Sequence, residues 1–267
     1  PVPVIGTDWV LVWSLTVVGA AVLAALLTLI VLFFLRAYLE TLKQVTEGVT
    51  FRDLARFLTS TLHRQGMTMS WCSPLDIATK WFKRQPKKLH MYASDEDWPI
   101  RRNDAIEMFW DWGGEYQGYY SDMNRAFYLG EPPQQIDEKY KKLARWHQVA
   151  QQTIKPGMPV SEAHVALSEA LRAELGLVWG YMHGVGVYAH ENPYLDLGLP
   201  LERNMTSRND LRFDVGTIMA FEPWKPIDPD NANALKGLEG GCIEDEWLMT
   251  DEGFVRMGSL PQKLFVL

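Results

Sequence analysis

Residues 104–130 read DAIEMFWDWGGEYQGYYSDMNRAFYLG. Apolar and aromatic runs flank a polar centre that contains glycine, and this pattern predicts a β-hairpin over residues 105–129. With a turn at residues 115–118, residues whose numbers sum to 233 pair, and Asp111 then faces Asp122. Directly opposed Cβ atoms on one face of a hairpin lie about 5 Å apart, where two carboxylates repel each other. The pair therefore predicts a bound cation or a retained proton, unless both side chains point into solvent.

Two histidines follow in the stretch GYMHGVGVYAHENP, residues 180–193. His183 and His190 are seven residues apart, and the glycines around His183 allow a close approach to the backbone. A lone histidine is more often an ordinary core or surface residue than a ligand, so neither position is decisive by itself. The stretch is therefore a candidate ligand-binding loop.

Two glutamates end apolar runs that are typical of buried strands. Glu222 follows GTIMAF and precedes Pro223, and Glu244 follows GGCI. A carboxylate at the end of a buried strand requires a polar or charged partner.

These positions together supply four carboxylates and one imidazole, from Asp111, Asp122, His183, Glu222 and Glu244. An oxygen-rich donor set with one imidazole suits Mn, Co, Zn or Fe as divalent ions. Two such ions lie about 3.5–4 Å apart in known sites, and the water between them loses a proton readily and becomes a nucleophile. The pattern thus indicates a site for two divalent metal ions.

The same segments resemble the pita-bread metallohydrolases, which include methionine aminopeptidase, aminopeptidase P, prolidase and creatinase. The family pattern is D-x-G with a second Asp eleven residues later, then H-G-x-G-x-x-x-H-E-x-P, then E-P and a final Glu. This chain has DWGGEYQGYYSDMNR at 111–125, HGVGVYAHENP at 183–193, FEP at 221–223 and ED at 244–245. The resemblance extends roughly over residues 36–263.

The resemblance implies a role for each matching residue. Asp111, Asp122, His183, Glu222 and Glu244 match the metal ligands of the family. His190 matches the histidine that contacts the substrate carbonyl and stabilises the tetrahedral intermediate. Glu222 matches the glutamate that also shuttles the proton of the attacking water. The implied fold is a pseudo-symmetric α+β pita bread with the site in the middle of its curved sheet.

The chain departs from the peptidases of this family at one position. They have another histidine roughly 17–18 residues before the first ligand Asp, where this chain has Ser94 or Ala93. The nearest histidine is His90. This departure concerns the binding of a peptide substrate rather than the binding of metal.

The remaining patterns predict an α+β domain in which helices and antiparallel strands alternate. Helices are predicted over residues 37–49 (ending at Gly48), 51–66 (capped by Thr50), 135–154 and 161–175 (capped by Ser161). Short strands follow from residue 178 to the end. Residues 67–104 contain three prolines and give no clear pattern.

The N-terminal segment contains 27 consecutive residues without a charge, 9–35. A helix of about 20 apolar residues spans a bilayer, so this run predicts a single-pass transmembrane helix. A buried core or dimerisation helix is the alternative, whereas a cleaved signal peptide is disfavoured by the length of the run. Basic residues follow the run but do not precede it, which predicts a cytoplasmic C-terminal domain. The expected organisation is an anchor over residues 1–36 and one metallohydrolase-like domain over residues 37–267.

Composition excludes several other classes of protein. The net charge of −7 disfavours nucleic-acid binding, which requires a basic face. Two cysteines, Cys72 and Cys242, are too few for a disulfide-rich scaffold or a cysteine-based zinc ribbon.

Three functional hypotheses remain open. The first is a membrane-anchored, dinuclear metal-dependent aminopeptidase or Xaa-Pro peptidase that acts on a peptide or small amide substrate. The second is a small-molecule hydrolase or lyase of the same family. The third is a non-catalytic accessory subunit of a larger membrane complex.

Overall fold

The computed structural model describes most of the chain after residue 27. The described residues are 25, 28–33, 35–69, 76–77, 99–102, 108–176, 178–198, 211–223 and 242–267. Positions 90, 93 and 94 and Cys72 lie outside them.

The described chain forms four helices and ten strands. The helices are α1 (28–33 and 35–42), α2 (Phe51–Arg64), α3 (Gln134–Thr153) and α4 (Val160–Leu175). The strands are β1 (Thr68–Met69), β2 (Asp76–Ile77), β3 (Met108–Tyr116), β4 (Tyr119–Tyr128), β5 (Tyr181–Gly184), β6 (Glu191–Asp196), β7 (Ile218–Glu222), β8 (Asp245–Thr250), β9 (Gly253–Arg256) and β10 (Phe265–Val266). This composition confirms the predicted α+β class.

All four predicted helices are present, and the ends of α2, α3 and α4 lie within two residues of the predicted ones. The Thr50 side chain accepts a hydrogen bond from the Asp53 amide, as expected of the N-cap of α2. Helix α1 ends at residue 42 rather than at Gly48, because tight turns follow it directly. Helix α4 begins one residue before Ser161, and its N-cap residue is Pro159, which has no capping side chain.

The first sheet is built on the predicted hairpin. It has the order β1-β3-β4-β10, with β2 also pairing with β3. The turn lies one residue later than predicted, because Gln117 and Gly118 both have positive φ and join Tyr116 to Tyr119 in a two-residue turn. The predicted pairing of Asp111 with Asp122 is therefore wrong.

The actual register places Asp111 opposite Asn124, and Asp122 opposite Gly113. Residues two apart on a strand share a face, so Asp111 and Asp122 are diagonal neighbours on one face of the hairpin.

The second sheet has the order β6-β5-β7-β8-β9, and all of its pairs are antiparallel. Helices α3 and α4 cover one of its faces, where Trp146 and Leu167 pack on Phe221 and Met219. The two sheets meet where residues 124 and 244 form an isolated antiparallel bridge. The second face of this sheet therefore turns towards the first sheet.

One side of helix α1 packs against the hydrophobic core that contains Met123 and Phe127 of the first sheet. Ile30, Val31 and Tyr38 are buried in the same cluster as Met123 and Phe127. On the other side of α1, three large apolar residues remain exposed, namely Leu29, Leu32 and Leu39. The described end of the uncharged run therefore forms a helix with one side buried in the protein core and the other side exposed.

Among the described residues, no helix has both the length and the apolar character needed to cross a bilayer. Residues 1–24 lie outside the described residues. The membrane span over residues 9–35 and the domain boundary at residue 36 therefore stay predictions.

The substitution Gly180→Ala is expected to destabilise the domain by about 3 kcal/mol. Gly180 has φ +120°, and an added Cβ would lie 2.5 Å from Trp146 Cζ2. Gly176→Ala is the matched control, because its φ is +72° but no atom lies within 4 Å of the added Cβ. Urea unfolding should show a loss of only about 1 kcal/mol for this control. Equal losses in the two variants would contradict the packing argument.

Candidate metal centre

Asp122 and Glu244 are brought together by the junction of the two sheets. The main chains of Asn124 and Glu244 exchange hydrogen bonds of 3.3 Å and 3.1 Å. Asp122 lies two residues before Asn124 on β4, and both carboxylate-bearing residues are 1% exposed. The junction thus places two predicted ligands at the same depth from opposite sheets.

His183 lies between these carboxylates. Its Nε2 is 3.7 Å from Asp122 Oδ2 and 3.6 Å from Glu244 Oε1. Its Nδ1–H donates to the Gly184 carbonyl at 3.1 Å, so the lone pair of Nε2 faces the carboxylates. Burial, followed by the neighbouring His190, lowers the pKa of His183 to about 3. A neutral imidazole oriented in this way is the form that binds metal.

Glu222 joins the same face of the second sheet through the strand register. His183 pairs with Ala220, and Ala220 pairs in turn with Glu246 of β8. Glu222 lies two residues beyond Ala220 and is therefore on the face of His183. Ligand atoms of His183, Glu222 and Glu244 all lie within 4.8 Å of one another. The methyl group of Ala220 is the small side chain in the middle of this face.

His190 lies at the mouth of the site. Its Nε2 is 3.1 Å from Asp122 Oδ2, and 38% of its side chain is exposed. Its ring meets that of His183 edge-on, with centroids 4.2 Å apart. Asp122, His183 and His190 form a second group whose ligand atoms lie within 4.8 Å. Burial lowers the pKa of His190.

For Asp111, the structure gives the position of the backbone. Strand β3 carries it on the face that Asp122 shares, as the register shows. The structure thus brings Asp122, His183, His190, Glu222 and Glu244 together in space and puts the backbone of Asp111 beside them.

A buried ion pair supports the junction from behind. Arg125 donates to the carbonyls of Asn124 and Glu244, both at 2.7 Å, and to the carboxylate of Asp245. The other Asp245 oxygen accepts a hydrogen bond from Gln262 at 2.8 Å. Arg125 is 2% exposed and Asp245 is fully buried. The only sequence signal for this pair is Arg125 itself, a lone arginine within an aromatic strand.

His147 supports the same segment from helix α3. Its Nε2–H donates to the Ile243 carbonyl at 2.7 Å, one residue before Glu244. Its ring stacks on both Phe221 and Trp247, at an interplanar angle of 22° in each case. Burial lowers the pKa of His147 to about 4. Sequence reasoning missed this residue, because a histidine among the apolar residues of a helix gives no sign of its target.

The residues at this centre fit a divalent metal ion. His183 Nε2 is buried and has no hydrogen-bond partner among the described residues. It faces carboxylate oxygens on both sides, and three carboxylates with one imidazole are a donor set for Mn, Co, Zn or Fe. The described side chains thus supply a site for divalent metal.

Comparison with known proteins identifies the family. Residues 34–251 match Peptidase_M24, metallopeptidase family M24, and the chain belongs to this family. It is 30% identical over 183 residues to a probable dipeptidase PepE of Mycobacterium tuberculosis, an alignment of 67% of this chain and 42% of the relative. It is 28% identical over 181 residues to the uncharacterized peptidase YqhT of Bacillus subtilis, which covers 67% of this chain and 45% of that one. The chain therefore spans about half the length of its curated relatives.

Solved structures share the fold. An X-Pro aminopeptidase from Thermotoga maritima superposes with a TM-score of 0.69 and 22% identity, over 90% of this chain and 62% of the other. An Xaa-Pro dipeptidase from Bacillus anthracis gives a TM-score of 0.68 and 24% identity, over 90% and 61%. The expected pita-bread fold is confirmed.

Mn²⁺ at about 100 times its Kd should raise the free energy of unfolding by about 2.7 kcal/mol, because the ion binds only the folded site. Asp122→Asn and Glu244→Gln should weaken binding of Mn²⁺ at least about 10-fold, since each removes a charged donor. Calorimetric titration and thermal unfolding measure these effects. The control is Glu252→Gln at an exposed carboxylate on the β8–β9 turn, which should bind Mn²⁺ as the wild type does. Equal binding by all variants would place the metal elsewhere.

Acid should destabilise the domain through His147. The pKa of His147 is about 4 in the folded chain and 6.5 ordinarily, so the unfolded chain takes up this proton first as the pH falls. Stability is therefore lost below about pH 6.5, and between about pH 7 and about pH 5 this residue alone costs about 2 kcal/mol. His147→Gln keeps a donor for the Ile243 carbonyl and removes the titration. In urea unfolding, the free energy of unfolding of this variant should fall by about 2 kcal/mol less than that of the wild type between about pH 7 and about pH 5. An identical pH dependence in the two proteins would show that His147 is not responsible.

Proposed function

We propose that this chain is a metal-dependent hydrolase of short peptides, an aminopeptidase or Xaa-Pro peptidase. In this proposal two divalent ions are held by Asp111, Asp122, His183, Glu222 and Glu244. The observation that carries the proposal is the convergence of Asp122, His183, Glu222 and Glu244 at the junction of two sheets, around the buried Nε2 of His183. The names of the relatives, a probable dipeptidase and an Xaa-Pro dipeptidase, support the choice of substrate class.

The chemistry divides between the metal and the protein. Bound divalent ions supply Lewis acidity, which polarises an amide carbonyl and lowers the pKa of water. His183 stays neutral at physiological pH and keeps its ring fixed through the Gly184 carbonyl. Glu222, 8% exposed at the end of β7, moves a proton from the attacking water to the leaving amine.

His190 completes the site on its open side. Its half-exposed ring can reach a substrate that enters the mouth, whereas the ligands below are buried. A donor at this position stabilises the negative charge that develops on the carbonyl oxygen. His190 is therefore assigned to the substrate and not to the metal.

His190→Ala should lower kcat by about 10²–10³-fold, because it removes one donor to the developing oxyanion. Its Kd for Mn²⁺ should stay within about 3-fold of the wild-type value, whereas Glu222→Gln should lose both activity and metal affinity. The assay measures release of the N-terminal residue from Xaa-Pro and Xaa-Ala dipeptides and an Xaa-Pro tripeptide, before and after chelation and Mn²⁺ addition. His63→Ala, an exposed histidine in the last turn of α2, is the control.

Each other outcome identifies a different error. Loss of Mn²⁺ binding in His190→Ala would make His190 a ligand. Bound metal with no peptide cleavage would favour a small-molecule hydrolase or lyase. Absence of bound metal would overturn the hydrolase proposal.

We also infer from the sequence that the N-terminal run attaches the domain to a membrane. The uncharged run over residues 9–35 supports this inference. The full chain should remain with the membrane pellet after alkaline carbonate extraction. This treatment disrupts electrostatic contacts with a membrane surface but does not extract an apolar helix from the bilayer. Recovery in the supernatant would contradict it.

A further inference from the structure

Glu246 is a buried carboxyl group that neither the family motif nor the proposed function uses. It lies on β8, two residues after Glu244, and has no exposed surface. Its Oε1 accepts a hydrogen bond of 2.7 Å from the main-chain amide of Asp122. This contact joins a side chain of the second sheet to the backbone of a predicted ligand in the first.

The contact lies where the pairing of the two sheets breaks. The bridge between Asn124 and Glu244 makes Asp122 and Glu246 the next opposed residues along an antiparallel ladder. In a continued ladder, a main-chain carbonyl of β8 would accept the Asp122 amide. The Glu246 carbonyl instead accepts from Met257 at 2.9 Å. The side chain of Glu246 therefore takes the place of the missing main-chain acceptor.

Because the Glu246 side chain replaces a main-chain acceptor, it determines where the backbone of Asp122 can lie. A buried amide without an acceptor would be costly, so the strand would otherwise have to move towards the second sheet or towards water. The carboxyl group spans the gap and lets the sheets separate while β4 stays in place. Asp122 Oδ2 can then lie 3.1 Å from His190 and 3.7 Å from His183.

We propose that Glu246 is a positioning residue that fixes the backbone of Asp122 at the metal centre. The proposal rests on the proposed function in one respect, the assignment of Asp122 as a metal ligand. Glu246 itself acts through a hydrogen bond that accepts from an amide, so an oxygen acceptor of the same length should be sufficient.

The experiment compares two substitutions at this position. Glu246→Gln keeps an oxygen acceptor of the same shape, whereas Glu246→Met keeps the length and removes the acceptor. Met249→Ala is the control for a general loss of packing, because Met249 is 1% exposed on the same strand and belongs to the apolar core behind the sheet. The measurements are the Kd for Mn²⁺ and amide hydrogen exchange resolved at Asp122 by NMR, both in the chain of residues 1–267.

The Met variant should bind Mn²⁺ about 10–100-fold more weakly and should exchange the Asp122 amide faster, as expected when a residue that orients a ligand is lost. The Gln variant should match the wild type in exchange and stay within about 3-fold of its Kd. Met249→Ala should unfold more easily and yet leave the Kd unchanged.

Two results would overturn the proposal. If Gln weakens Mn²⁺ binding as much as Met does, the carboxyl group acts as a ligand rather than by positioning. If Met changes neither the Kd nor the exchange, the hydrogen bond has no positioning role. If the wild-type chain binds no Mn²⁺, the proposed function fails, and the exchange of the Asp122 amide alone decides whether Glu246 fixes this backbone.

Discussion

The buried pair of Arg125 and Asp245 is the interaction on which the rest of the structure depends. One guanidinium group binds two main-chain carbonyls and one carboxylate, and these groups come from both sheets. Removing one partner of a buried ion pair typically costs about 3–5 kcal/mol, because the other charge is left without compensation. The pair also determines which way the neighbouring side chains point. With Asp245 directed at Arg125, strand alternation directs Glu244 and Glu246 to the opposite side, where the metal centre lies.

The accumulation of carboxyl groups on that side has an electrostatic cost. Asp122, Glu222 and Glu244 are buried, and burial disfavours the charged form of an acid. At Glu246, which is fully buried, this effect raises the pKa to about 8. A divalent cation bound between Asp122, Glu222 and Glu244 would offset this cost.

The sequence was sufficient to predict the fold class, the family and the convergence of Asp122, His183, Glu222 and Glu244. These candidate ligand positions could be recognised in the sequence because their spacing follows strand alternation, which depends only on local sequence. In the hairpin, the shared face of Asp111 and Asp122 was predicted correctly although the strand register was wrong. The turn at Gln117 and Gly118 shifts the pairing by two residues, so Asp111 loses its predicted partner but stays on the same face as Asp122. The supporting residues Arg125, His147 and Glu246 could not be predicted, because their partners are main-chain groups about 100 residues away in the sequence.

Ala220 has a consequence for how such chains should be compared. Its methyl group lies in register with both His183 and Glu246, at the centre of the face that carries the ligands. The space for ions is therefore bounded by a residue that has no chemistry of its own. A relative could keep every acidic residue and both histidines and still have a filled centre if valine or leucine stood at this position. Whether the site can hold ions depends on the free volume beside Ala220 as much as on the donor atoms. The presence of all the ligand residues in a sequence therefore does not establish that ions fit.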